Sequence, residues 1–181
     1  MSERSGRSGR AAGIMLLGLT CLVAGCAAGG AGQRAELAVG DFCLRELGGE
    51  RVCLSDHAGE VVLVSFWATW CDPCQVELRQ LQAIWQRHRD RGFALLTVSV
   101  DTADKHAAVR RLVRRYRYRF PVLLDASSAV TDRFHPTMEL PFSMLLDHRG
   151  RIIARHQGYR PGDELRIERE IEAALAARPE S

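Results

Sequence analysis

Two nearly continuous apolar runs, residues 61–67 and 93–100, constrain this chain more than any other feature. Runs of that length between polar segments read as strands covered on both faces, as in a parallel sheet. Between them, residues 71–91 have helical periodicity, with Cys74, Leu78, Leu81 and Trp85 at i, i+4, i+7 and i+11 forming one buried stripe. Gly92 stands where a helix stop is needed. Parallel strands require a crossover and the helix supplies it, so the three segments form a βαβ unit of an α/β protein.

Upstream, residues 39–56 read as a β-hairpin, with Phe42-Cys43-Leu44 and Val52-Cys53-Leu54 on either side of Gly48-Gly49. A three-residue loop over 47–49 sets Glu46 opposite Glu50 and Cys43 opposite Cys53. A structural disulfide and a pair of reduced core cysteines both fit that register. Downstream, a helix is expected over 102–116, with Val109, Leu112, Val113 and Tyr116 facing inward. A short strand at 121–124 and a helical turn near 127–134 follow. Pro141 precedes a strand at 142–146, which pairs through a turn with 151–156. The last helix spans 163–177, with Leu165, Ile167, Ile171 and Leu175 as its apolar side. The six histidines fall in expected loops and helix surfaces.

The N-terminus reads as an address. Residues 1–10 carry Glu3, Arg4, Arg7 and Arg10, and residues 11–33 carry no charge. A basic start before so short an apolar run points to a secretory signal, since a spanning helix needs about 20 apolar residues. Val23-Ala24-Gly25-Cys26 resembles the lipobox of bacterial lipoproteins. That resemblance implies cleavage before Cys26 and a lipid on its sulfur. An ordinary cleaved signal or an uncleaved anchor is the plainer alternative. The expected organisation is a signal peptide over 1–25, a lipid-anchored flexible tether over 26–38 and one domain over 39–181. Of the formal charge of +3, residues 1–25 hold +2, so the body is nearly neutral. A dedicated nucleic-acid binder would be strongly basic.

Chemistry concentrates at Trp70-Cys71-Asp72-Pro73-Cys74. A zinc site would need two further ligands at similar spacing, and no second cysteine pair has that spacing. Redox exchange needs only these two. At a strand-to-helix junction, the first sulfur meets the orphan N–H groups and dipole that stabilise a thiolate. The second lies almost one turn inside, close enough to form a disulfide. Pro73 suits the first helical turn.

The segment 66–74, Phe-Trp-Ala-Thr-Trp-Cys-Asp-Pro-Cys, resembles the active-site segment of thioredoxin-fold proteins. It is most similar to the TlpA-like, ResA-type membrane-anchored thiol-disulfide oxidoreductases. Leu54-Ser55-Asp56 with Gly59, Val98-Ser99-Val100-Asp101, Phe120-Pro121-Val122 and Leu140-Pro141 match as well. The resemblance implies a thioredoxin fold, a mixed central sheet flanked by helices, with an N-terminal β-hairpin and a central αβ insertion. It makes Cys71 the attacking thiol, Cys74 the resolving thiol and Pro141 a cis-proline that, with Leu140, offers backbone to a client strand. Trp67 and Trp70 would pack around the site or serve as plain core aromatics. No cofactor beyond the Cys71–Cys74 pair is expected, and no metal.

The resemblance further implies an extracytoplasmic reductase of client proteins with disulfides, such as apocytochrome c or copper-site proteins, fed by a membrane thiol-electron transporter. Many thioredoxins hold a buried Asp six residues before the first cysteine, where this chain has Ser65. The TlpA-like group often has an acidic residue three positions after the second cysteine, and Glu77 is there. Glu77 is accordingly either a catalytic partner of Cys74 or a solvated first-turn carboxylate. Asp72 beside Cys71 disfavours a thiolate, which makes the pair a better reductant, unless it is simply an exposed helix-start residue. Two rival functions remain open: a Cu(I) metallochaperone, with His135 as the residue to watch, and a thiol peroxidase, weakened by Ala68 where such enzymes usually carry Thr. The arginines at 110–119 read either as an anionic-lipid or RNA surface or as a solvated helix face.

Overall fold

The computed structural model describes residues 38–135 and 137–179. The readings made for the signal peptide, Cys26 and nearly all of the tether lie outside the described residues. Strands β1 (Cys43–Glu46) and β2 (Arg51–Cys53) form the hairpin. Strand β3 (Val61–Trp67), helix α1 (Asp72–His88) and strand β4 (Phe93–Ser99) form the crossover unit. Then come α2 (His106–Tyr116), β5 (Val122–Leu124), α3 (Ala129–Phe134), β6 (Phe142–Leu146), β7 (Ile152–Gln157) and α4 (Asp163–Ala176). One sheet takes all seven strands in the order β2-β1-β5-β4-β3-β6-β7. Its centre, β5-β4-β3, is parallel, and β1, β6 and β7 each pair antiparallel to a neighbour.

The unbroken apolar runs have a direct cause. Every residue of β3 and β4 is buried, because each face of the sheet covers a core of its own. Leu63 and Trp67 point to one core with Leu78, Leu81, Ile167 and Ile171 from the helices α1 and α4. Val62, Val64 and Phe66 point to the other, with Phe42, Leu96 and Met144. Each fully buried aliphatic or aromatic side chain contributes about 1.5–3 kcal/mol, so the central strands hold the fold and the site inherits their rigidity.

Several details differ from the sequence reading. Trp85 is only half-buried, with Arg89 over its ring, while Ile84 and His88 are buried. The buried stripe is wider than one i, i+4 row because α1 packs against α4 as well as the sheet. Leu165 is 58% exposed, not part of the apolar side of the last helix. Two residues along a helix is about 200° of rotation, so Leu165 and Ile167 cannot share a face. His88, on α1, and His156, on β7, are buried, and His135 lies in a loop as expected but is buried too. Each has a partner: His88 meets Glu168 at 2.9 Å, His135 stacks on Phe142, and His156 lies between Ser143 and Glu170.

The hairpin has the expected register, Cys43 opposite Cys53, and the two sulfurs are joined. Backbone bonds at Leu54–Phe42 and Glu46–Glu50 make Cys43–Cys53 a non-hydrogen-bonded pair, the closer kind, with Cα atoms 4.0 Å apart. The hairpin docks on the sheet through β1 against β5. Closing so short a loop limits its entropic contribution to about 2–3 kcal/mol. Replacing both residues by Ala should lower stability to urea by no more than that and leave exchange at the other cysteine pair intact.

Candidate active site

Strand β3 ends at Trp67, and the chain reaches helix α1 through Ala68-Thr69-Trp70. Cys71 is the N-cap residue of that helix, and its sulfur accepts the Cys74 amide N–H at 3.3 Å. A free amide of the first helical turn is thus aimed at sulfur, where partial positive charge favours a thiolate. Cys71 and Cys74 are joined in a disulfide. Cys71 keeps 5% of its surface exposed and Cys74 none. Asp72 and Pro73, at the start of the helix, are exposed.

The loop before Cys71 is clamped. Asp101, just past β4, accepts the Thr69 amide at 2.8 Å and the Thr69 hydroxyl at 2.6 Å, and Ser99 donates to the same carboxylate. Gln75 of α1 donates to the Thr69 carbonyl. Asp101 matched a family motif, but nothing in its spacing pointed to this partner. A polar residue ending a buried strand beside the strand that carries the site was the available signal.

Glu77 is not a solvated first-turn carboxylate: only 1% of it is exposed. It lies one turn beyond Cys74 on the buried side of α1, and the Ser65 hydroxyl donates to its Oε2 at 3.3 Å. Burial pushes its carboxyl up to about 8, with Asp163 nearby adding to the rise and the Ser65 bond opposing it. Ser65, noted as standing where thioredoxins often have an acid, is here the hydrogen-bond donor to an acid arriving from the helix.

The remaining site residues divide. Trp67 is fully buried in the core that holds Cys71 and Cys74, and half-buried Leu140 packs against it. Trp70 is 69% exposed, so it stands in solvent rather than packing round the pair. The Leu140–Pro141 bond is cis. Phe142 pairs with Phe66, so Pro141 stands level with the end of β3. Cys43 and Cys53 sit on β1 and β2, at one end of the sheet, with β5 and β4 between β1 and β3. His135 is engaged by the Glu139 carbonyl and the Thr137 hydroxyl. Among the described residues, the side-chain groups able to hold a metal contain neither Cys71 nor Cys74.

The model of the AhpC/TSA family matches residues 35–170, most of the chain. The chain belongs to the AhpC/TSA family. It is 28% identical over 125 residues to a thiol-disulfide oxidoreductase ResA of Bacillus thuringiensis subsp. konkukian, covering 69% of this chain and 70% of the relative. It is 34% identical over 119 residues to the thioredoxin-like protein YneN of Bacillus subtilis, covering 65% and 68%. The crystal structure of a Chlorobium tepidum protein described as thiol:disulfide interchange protein DsbE superposes with a TM-score of 0.70. That match is 30% identical and covers 79% of this chain and 98% of that one. The expected thioredoxin-like fold and ResA-type kinship are both borne out. The chain is a thiol-disulfide oxidoreductase.

Two outcomes follow from this geometry. The folded protein holds the Glu77 proton up to about pH 8, whereas an unfolded chain releases it near 4.5. The folded state therefore binds more protons between those values, and stability falls as pH rises through the window. Glu77→Gln, neutral throughout, should flatten the fall in urea midpoints between pH 5.5 and 8.5. An equal fall in both proteins would contradict the buried neutral carboxyl. Asp101→Ala removes three hydrogen bonds to one carboxylate and should cost about 2–4 kcal/mol in the same assay.

Proposed function

We propose that this chain is an extracytoplasmic, lipid-anchored reductase of cysteine pairs in other exported proteins. The observation that carries the exchange chemistry is the Cys74 amide donating to the Cys71 sulfur at the head of α1, with Cys74 itself fully enclosed; the reductive direction and the anchor rest on the family analogy. In the reduced state the Cys71 thiolate attacks one sulfur of a client disulfide, and the other client sulfur leaves as thiolate. Cys74 then attacks the Cys71 sulfur of the mixed disulfide and expels the second client sulfur. The client gains two electrons and ends as a dithiol; this chain ends as the Cys71–Cys74 disulfide.

Proton traffic falls to Glu77. Its carboxylate takes the Cys74 proton as that thiol attacks. Its neutral acid returns one when an incoming reductant opens the disulfide and Cys74 leaves. An acid–base group serves best when it titrates near working pH, and about 8 meets that condition. Asp72 is exposed at the helix start, the reading in which it has little effect on Cys71, so the reductive direction rests on the family analogy. Leu140 and Pro141 present backbone to the client strand, and Trp67 packs beneath the pair.

The family analogy names apocytochrome c or copper-site proteins as clients and a membrane thiol-electron transporter as donor. Cys26 would hold the chain to the membrane through its lipid. Among the described residues no helix is long and apolar enough to cross a membrane. Cys26→Ala should move the protein from the membrane to the soluble envelope fraction. Insulin reduction set against Cu(I) titration separates exchange from metal delivery.

The decisive test separates the two thiols. Cys74→Ser should accumulate covalent client adducts on a non-reducing gel, because the first step proceeds and the second cannot. Cys71→Ser should accumulate few, since its remaining thiol is enclosed. Equal trapping by both, or more by Cys71→Ser, would reverse the roles.

A further inference from the structure

Beside the redox pair lies a groove that the exchange steps above do not use. It holds about 650 Å³ between the loop before Cys71, the first turns of α1 and one side of α2. Trp70, Gln75, Arg111, Leu112, Arg115 and Tyr116 line it. Trp70, at 69%, is the most exposed large apolar side chain among the described residues. Helix α2 carries Arg110, Arg111, Arg114 and Arg115 and no acidic residue. Elsewhere Arg87 meets Glu168 and Arg151 meets Asp147, whereas exposed Arg155 and Arg166 meet no carboxylate among the described residues; α2 differs in gathering four arginines on one helix that has no acid. The four on α2 have no carboxylate partner among the described residues. Two cations are instead stationed on the groove's aromatic wall, with Arg79 and Arg115 at 5.3 and 5.6 Å from the centre of the Tyr116 ring.

We propose that this groove binds an acidic segment of the client protein, next to the cysteine pair being reduced. The proposal rests on the reading of the chain as a protein-disulfide oxidoreductase and names the kind of client it selects. Guanidinium forks match carboxylates in geometry as well as charge, and unpaired ones pay no cost of breaking an existing ion pair. Trp70 is the apolar anchor; Trp and Arg side chains dominate interface energies when a partner desolvates them. The groove begins at the residue before Cys71, so a segment seated there leads its neighbouring disulfide to the sulfur. A lipid surface is the other acidic partner for such a helix. A flat membrane would be met by Arg110 and Arg114 on the outer side as readily, and would have no use for a concave site opening at a redox sulfur.

The test uses the reduced full-length chain and three synthetic peptides that share one intramolecular disulfide loop, flanked by Glu, Ser or Lys residues. Each second-order rate is divided by the rate on neutral hydroxyethyl disulfide. The wild type should prefer the Glu peptide to the Ser peptide by about tenfold at low salt, with the preference shrinking at high salt. Arg111→Glu with Arg115→Glu should reverse the order. Arg155→Glu with Arg166→Glu, the same charge change at exposed sites on β7 and α4, should preserve it. Equal wild-type rates on the three peptides would overturn the proposal, as would equal effects of the two double variants. A groove variant that loses binding to phosphatidylglycerol vesicles but keeps the peptide preference would overturn it in favour of a lipid surface. If the wild type fails even on hydroxyethyl disulfide, the exchange reading falls and takes this one with it. Exchange there without peptide preference removes this one alone.

Discussion

The hydrogen bond from the Cys74 amide to the Cys71 sulfur makes two chemically identical thiols unequal. It exists because the helix begins at Cys71, and the helix begins there because β3 delivers the chain to that point and the Asp101 clamp fixes the turn. Strand β3 is in turn fixed by burial on both faces and by pairing with β4 on one side and β6 on the other. Rigidity runs from core to loop to sulfur. The Cys71 sulfur is held at a helix terminus by backbone geometry.

The second asymmetry is electrostatic. Across the middle of the sheet Thr97, Ser65 and Ser143 occupy one register row, a polar band inside an otherwise apolar layer. Ser65 serves Glu77, and Ser143 serves His156, which reaches Glu170 at 2.6 Å. A buried carboxyl with one weak donor is held in its neutral form, since too little stabilises the charge. That is a poor arrangement for stability at high pH and the one that the proposed proton exchange with Cys74 requires. A pocket that fully solvated Glu77 or paired it with arginine would hold it ionised and leave it no proton to give.

Much of this was legible in the sequence. Apolar runs without alternation mark strands covered on both sides, and the Cys-Asp-Pro-Cys segment between such a strand and an amphipathic helix marks the redox pair. The hairpin register followed from loop length alone. What escaped notice depends on contacts distant along the chain. Glu77 meets Ser65 of β3, with Asp163 of α4 nearby, and no local pattern reveals either. The same holds for His88 and His156, whose carboxylate partners both come from α4. Leu165 is the reverse case, a helical position judged by hydrophobicity when its angle should have decided.

The central claim is that one fold makes Cys71 reactive and keeps Cys74 in reserve. Brief alkylation of the reduced protein with iodoacetamide at neutral pH, followed by mass-spectrometric assignment of the modified cysteine, measures this directly. The account predicts modification at Cys71, with Cys74 unmodified until the protein is unfolded. Comparable labelling of both cysteines in the folded protein, or labelling of Cys74 first, would contradict it.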